Sequence, residues 1–117
     1  KNVLQWNLSS NPQLTPYTPF GGCGVCLGAI TIDGNEVIRN QGYYTIAHAS
    51  KFVDSGSFRI ASTDVAGLPN VAFKTPNGDV VLIVLNTTGN NLTFDVLVDG
   101  TRYTTSIIQG AVATIIL

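Results

Sequence analysis

The chain has 117 residues, the size of one domain. It carries 6 Lys+Arg against 7 Asp+Glu, a formal net charge of -1, which excludes the basic face that a nucleic acid or an anionic membrane surface requires. Hydrophobic residues make up 44% and charged residues 11%, which excludes disorder and describes a rather apolar globular domain.

Lys1 opens the chain, and Met is absent throughout, so Lys1 is expected to have been exposed by processing or truncation of something longer. No charged-then-apolar leader stands there. Val3–Leu8 is the first candidate strand. Ser9 to Gly24 contains Pro12, Pro16, Pro19 and three glycines, and reads as a long loop of the kind that is usually functional. Leu27–Ile32 and Glu36–Arg39 flank Asp33-Gly34-Asn35 and predict a hairpin. A helix follows over about Gln41–Val53, with Asn40 as its N-cap and Gly56 as its stop. Tyr43, Ile46, Ala47, Ser50 and Val53 share one face at helical spacing, so that face is expected to pack on something.

The second half is one β-rich run after another. Phe58–Thr63, Val71–Thr75, Val80–Asn86, Leu92–Val98, Thr101–Ile108 and Ala111–Leu117 are separated by turn chemistry, notably Asn77-Gly78, Asp99-Gly100 and Gln109-Gly110. Val80–Asn86 is apolar at nearly every position, as a strand covered on both faces is. Leu92–Val98 mostly alternates. Strands at this spacing predict a mainly β protein, an antiparallel β-sandwich. The longest aliphatic run, Val80–Leu85, is far short of the ~20 residues that span a bilayer, so no membrane span is expected.

Catalytic signals are sparse. Paired-acid hydrolysis needs two carboxyls roughly 5 to 10 Å apart in different environments. Glu36 is the single Glu and follows a polar turn, while Asp33, Asp79 and Asp99 sit in turns where backbone hydrogen bonding accounts for them. His48, the one histidine, lies mid-helix between alanines and reads as a packing residue. No Gly-x-Ser-x-Gly elbow accompanies it. No catalytic residue, metal ligand set or cofactor is therefore assigned to this chain.

Cys23-Gly24-Val25-Cys26 has three readings. A redox pair wants a helix after its first Cys, yet a β pattern follows here. Zinc wants four ligands, and one His with no further Cys falls short. A local disulfide suits an even count in a secreted protein, with free thiols as the alternative. Asn7-Leu8-Ser9, Asn86-Thr87-Thr88 and Asn91-Leu92-Thr93 match the N-glycosylation pattern, which matters only in a eukaryotic secreted protein. Trp6, Tyr17 and Phe20 could stack on pyranose rings while neighbouring amides bond sugar hydroxyls. The competing reading of Trp6 is a core residue.

Trp6-Asn7-Leu8, Gly21-Gly22-Cys23 with Cys26, Thr31-Ile32-Asp33, Tyr43-Tyr44, His48-Ala49-Ser50-Lys51-Phe52-Val53, Gly56, Arg59-Ile60 and Val84-Leu85-Asn86-Thr87 occur in one order. That series resembles the C-terminal end of glycoside hydrolase family 30, the glucosylceramidase and endo-β-1,6-glucanase family, over nearly the whole chain. The paired cysteines look more like the β-1,6-glucanase branch. Ser9-Ser10-Asn11-Pro12-Gln13 departs from the more acidic, Gly-rich loop of many members.

The resemblance implies a secreted retaining β-glycosidase built as a (β/α)8 barrel with a side β-sandwich. Residues 1–56 would be the last βα unit of the barrel with its cleft-bordering loop, and residues 57–117 the sandwich. The two catalytic glutamates would lie upstream of Lys1, leaving this chain inactive alone. Trp6 and Asn7 would stand at the mouth of the last strand, where barrel active sites are built. Tyr17 and Phe20 would lie in the bordering loop, and all four are taken as substrate-binding. The partners implied are a β-glucan or glucosyl conjugate, bound through the parent enzyme, and the missing N-terminal barrel and sandwich strands. Without those strands, an open sheet edge and an uncovered helix face are expected to make the isolated chain self-associate. The rival readings are a carbohydrate-binding module that acts without catalysis and a purely structural or docking sandwich.

Overall fold

The computed structural model describes residues 4–17 and 20–117. It comprises two compact units, Lys1–Ile46 and Ala47–Leu117, whose boundary falls inside the helix α1, Gln41–Ser50.

The first unit holds β1 (Ser9–Ser10), β2 (Ile30–Asp33) and β3 (Glu36–Arg39) in the order β1-β2-β3. β2 and β3 are antiparallel and form the hairpin expected around Gly34, whose φ of 57° is open to a residue without a β-carbon. β1 runs parallel to β2, with Ser9 opposite Ile30. The strand expected over Val3–Leu8 forms differently. Val3 lies outside the described residues, and Leu4–Leu8 carry no ladder. A strand exists only against a partner, and the partner segment reaches this stretch only at its end. There Ala29 donates its N–H to Asn7 O and Ile30 to Leu8 O, both at 3.0 Å. The ladder therefore starts late, at Ser9, inside what reads as loop. The loop beyond is shaped by Asn11, whose Oδ1 accepts from the N–H groups of Gln13 and Thr15 at 3.0 and 2.8 Å. Pro19 lies outside the described residues.

The helix is shorter than expected, ending at Ser50, with Lys51–Val53 continuing as a turn. Asn40 begins it, but not through its side chain. Its carbonyl accepts from Tyr43 N–H at 3.0 Å, while Nδ2 donates to Gly28 O at 2.8 Å and Thr31 Oγ1 at 2.9 Å. The amide is thus spent on tying the helix entrance to the hairpin. Gly56, at φ 89°, turns the chain well past the helix end and is not its C-terminal stop. No residue of α1 is buried among the described residues, so the packing expected for Tyr43 and Ile46 does not occur. Arg39 lies over the Tyr43 ring at 5.2 Å, and Tyr43 meets Tyr44 edge-on.

The second unit holds β4 (Phe58–Ile60), β5 (Asn70–Lys74), β6 (Val80–Leu85), β7 (Leu92–Val98), β8 (Thr101–Ile107) and β9 (Val112–Ile116). Every pair is antiparallel. Four strands form one sheet in the order β4-β5-β6-β9, and β7 pairs with β8 in a second sheet. The apolar run Val80–Leu85 lies inside the larger sheet, with Val81 and Val84 almost wholly out of solvent. β7 alternates between half-buried and exposed residues, as one-sided cover demands. Asp99 and Gly100, at φ 48° and 81°, make the tight turn that joins β7 to β8. The core gathers Leu68, Val84 and Ile107, with Leu92, Phe94, Ala113 and Ile115 packed against them. This is the mainly β sandwich the strand pattern predicts.

Asn86 closes one end of that core and is 0% exposed. Its Nδ2 donates to the carbonyls of Asn90 at 2.8 Å, Ile108 at 3.2 Å and Ile107 at 3.4 Å. Its Oδ1 accepts from Thr88 N–H at 2.9 Å and Thr88 Oγ1–H at 2.7 Å. One amide thus binds the exit of β6 to the exit of β8. His48 bonds Thr114 of β9 through Nδ1 at 2.8 Å, which gives it the structural role its setting implies.

Candidate functional site

The four residues taken as substrate-binding and the two cysteines all belong to the first unit. Trp6 is 64% exposed and Phe20 94%, so neither is a core residue in this chain. Tyr17 is half exposed, and its ring lies beside Gly24, where a β-carbon would stand 3.6 Å from Tyr17 Cζ. Gly24 sits inside the ring closed by the Cys23–Cys26 disulfide, whose Cα atoms are 5.4 Å apart. The disulfide and Tyr17 therefore brace the same turn. Among the described residues Trp6, Tyr17 and Phe20 do not pair with one another.

Asn7 is held from both sides. Its carbonyl takes the Ala29 N–H, and its side chain presses against Gly28, where a β-carbon would meet Asn7 Oδ1, Ser9 Cα and Ser9 C at 2.7 Å. Only glycine fits that approach. Asn7 Oδ1 is buried and meets no hydrogen-bond donor among the described residues. An amide oxygen in that state costs roughly 1–3 kcal/mol until a donor reaches it.

Between this segment and the entrance of α1 lies a hollow of about 470 Å³, lined by Gln5, Leu27, Gly28, Asn40, Gln41, Gly42 and Thr45. Gln5 packs so closely over Gly42 that a β-carbon there would collide with its amide. The lining is neutral, rich in carboxamides and lacking any carboxylate. Such a surface can exchange hydrogen bonds with hydroxyl groups, but it holds no acid or base to break a bond. Among the described residues no group of three or more His, Cys, Asp or Glu side chains gathers to hold a metal ion.

Gly28 and Asn40 were not singled out as site residues. The signal for Gly28 is a glycine directly before an apolar β run, which marks a close backbone approach.

The chain spans about a fifth of the length of the curated relatives it matches. It is 31% identical over 98 residues, 79% of this chain and 20% of the relative, to the endo-1,6-β-D-glucanase BGN16.3 of Trichoderma harzianum. It is 31% identical over 96 residues, 77% of this chain and 20% of the relative, to the endo-1,6-β-D-glucanase neg1 of Aspergillus fumigatus. Its fold superposes on the solved endo-β1,6-glucanase BT3312 with a TM-score of 0.77 and 29% identity, over 93% of this chain and 25% of that one. Residues 56–115 match the model of the glycosyl hydrolase family 30 β-sandwich domain. The chain belongs to glycoside hydrolase family 30 and carries that family's β-sandwich domain.

Proposed function

We propose that this chain is the C-terminal part of a secreted retaining β-glycosidase that cleaves β-1,6-glucan, and that it supplies substrate contacts but no catalytic carboxylate. Residues 1–56 act as the last βα unit of the parent barrel and residues 57–117 as its bracing sandwich. What carries the reading is the exposed Trp6 indole next in sequence to an Asn7 oxygen without a donor, in a chain related to two endo-1,6-β-glucanases. The indole takes the C–H face of a glucosyl ring. Tyr17 and Phe20 border the same cleft, and a group from upstream in the parent completes Asn7. The Cys23–Cys26 disulfide supports an oxidising, extracellular destination.

The same reading gives the sandwich a partner. A hollow of about 770 Å³ in the second unit is lined by Ile60, Ala72 and Leu82 of one sheet and Phe94, Val96 and Val98 of the other. Sandwich strands from the parent's N-terminal end cover those side chains.

The test is Trp6→Ala in the full-length enzyme. Half of an indole's ~200 Å² against the sugar, at about 25 cal/mol per Å², is about 2.5 kcal/mol. That corresponds to a loss of about 70-fold in kcat/KM on β-1,6-glucan. Unchanged kinetics would remove the substrate role of Trp6.

A further inference from the structure

Three tripeptides carry the Asn-x-Ser/Thr pattern, and the fold treats their asparagines differently. The atom that receives an N-linked glycan is the asparagine Nδ2. In Asn86 that nitrogen faces three backbone carbonyls inside a residue with no solvent exposure, so a folded chain has no room for a sugar there. Asn7 is half-buried, with its Oδ1 pressed on Gly28 and its segment anchored to Ala29 and Ile30. Asn91 is the opposite case. It is exposed, immediately before β7, and its Oδ1 accepts from the backbone N–H of Gln109 at 3.1 Å. That bond fixes the amide, while no protein acceptor meets its Nδ2 among the described residues. Thr93, which completes the pattern, is also exposed, with its hydroxyl 3.4 Å from Ser106 Oγ.

We propose that Asn91 is an N-glycosylation site, and that of the three matching asparagines it is the one whose modification the folded chain can carry. The inference rests on the secretory reading above, because the glycan donor exists only in that pathway. In the transfer, Asn91 Nδ2 forms a bond to C1 of the oligosaccharide of a lipid-diphosphate-linked donor. The bond from C1 to the diphosphate oxygen breaks, the lipid diphosphate departs, and the amide proton passes to the surrounding base. No oxidation state changes. The product places a large polar group beside the start of β7, where Thr93 is exposed.

The experiment uses the full-length polypeptide secreted from a yeast host, which supplies the donor whatever the natural source of the chain. Enzymatic deglycosylation in heavy-oxygen water converts each formerly modified asparagine to a labelled aspartate that peptide mass spectrometry locates. The expected result is label at Asn91, none at Asn7 or Asn86, and loss of one glycan's mass in both Asn91→Gln and Thr93→Ala. Secreted protein unlabelled at Asn91, or labelled at Asn7 or Asn86, overturns the proposal. Free thiols at Cys23 and Cys26 in protein from the natural source would instead overturn the secretory reading, and the yeast result would stand apart from it.

Discussion

Replacing Asn86 by Ala tests whether one buried amide holds the two sheets together at their common end. The substitution removes the Nδ2 that serves the carbonyls of Asn90, Ile107 and Ile108 and the Oδ1 that serves Thr88 N–H. The bonds to Thr88 Oγ1, Asn90 O and Thr88 N are the short ones, at 2.7, 2.8 and 2.9 Å; their partners are half-buried or exposed, and each such bond lost costs roughly 1 kcal/mol. The long bond to Ile107 adds little. Backbone bonds from Asn86 N–H to Ala111 O and from Gly110 N–H to Asn86 O survive, which limits the loss. The sum is about 3 kcal/mol, a large part of the ~5–15 kcal/mol that stabilises a domain. For a unit of this size that is a fall in Tm of roughly 12–24 °C. Thermal unfolding followed by far-ultraviolet circular dichroism reads it, with Gln109→Ala as the control. Gln109 is exposed and should change stability by no more than about 0.5 kcal/mol. A drop of less than about 5 °C for Asn86→Ala would show that water or relaxed backbone replaces the amide, and the reasoning would fail.

Three further outcomes follow from the same geometry. Gly28→Ala should push the Asn7–Ser9 segment away from Ala29, costing on the order of 2 kcal/mol locally, and hydrogen exchange at the Ala29 and Ile30 amides should accelerate; unchanged protection would mean the segment gives way freely. Cys23→Ser closes no ring, and because so short a loop contributes at most about 2 kcal/mol, the Tm of the sandwich unit should stay put while proteolysis near Tyr17 and Val25 quickens. The isolated chain should associate as concentration rises, since β4 and β9 are sheet edges and Phe58 and Ile116 on them are exposed. Light scattering that stays monomeric at high concentration would contradict it.

The sandwich was legible because its strands obey local rules. Val80–Leu85 is too apolar for anything but an interior strand, Leu92–Val98 alternates, and Asn77-Gly78, Asp99-Gly100 and Gln109-Gly110 supply the positive φ their turns adopt. The first unit was harder to read because its order comes from distant pairings. Ser9–Ser10 becomes a strand only because Ile30–Thr31 lies beside it, and nothing in a Ser-Ser pair announces that. Asn40 looks like a helix cap, yet its amide serves Gly28 and Thr31 nine to twelve positions away in sequence. The helix face around Tyr43 and Ile46 has the right spacing to pack, but the pattern cannot say whether the partner belongs to the same stretch of chain. The central role of Asn86 hides behind a glycosylation pattern. Its clue is position, a lone amide ending the most apolar strand just before Thr87-Thr88-Gly89, where a side chain can satisfy turn backbone.

The most direct measurement gives β-1,6-glucan to this chain and, separately, to the full-length polypeptide that contains it, and follows new reducing ends by proton NMR. The full-length protein is expected to release ends first seen as the β anomer, and this chain alone to release none. Cleavage by this chain alone, or a full-length protein that binds the glucan without cutting it, would contradict the account.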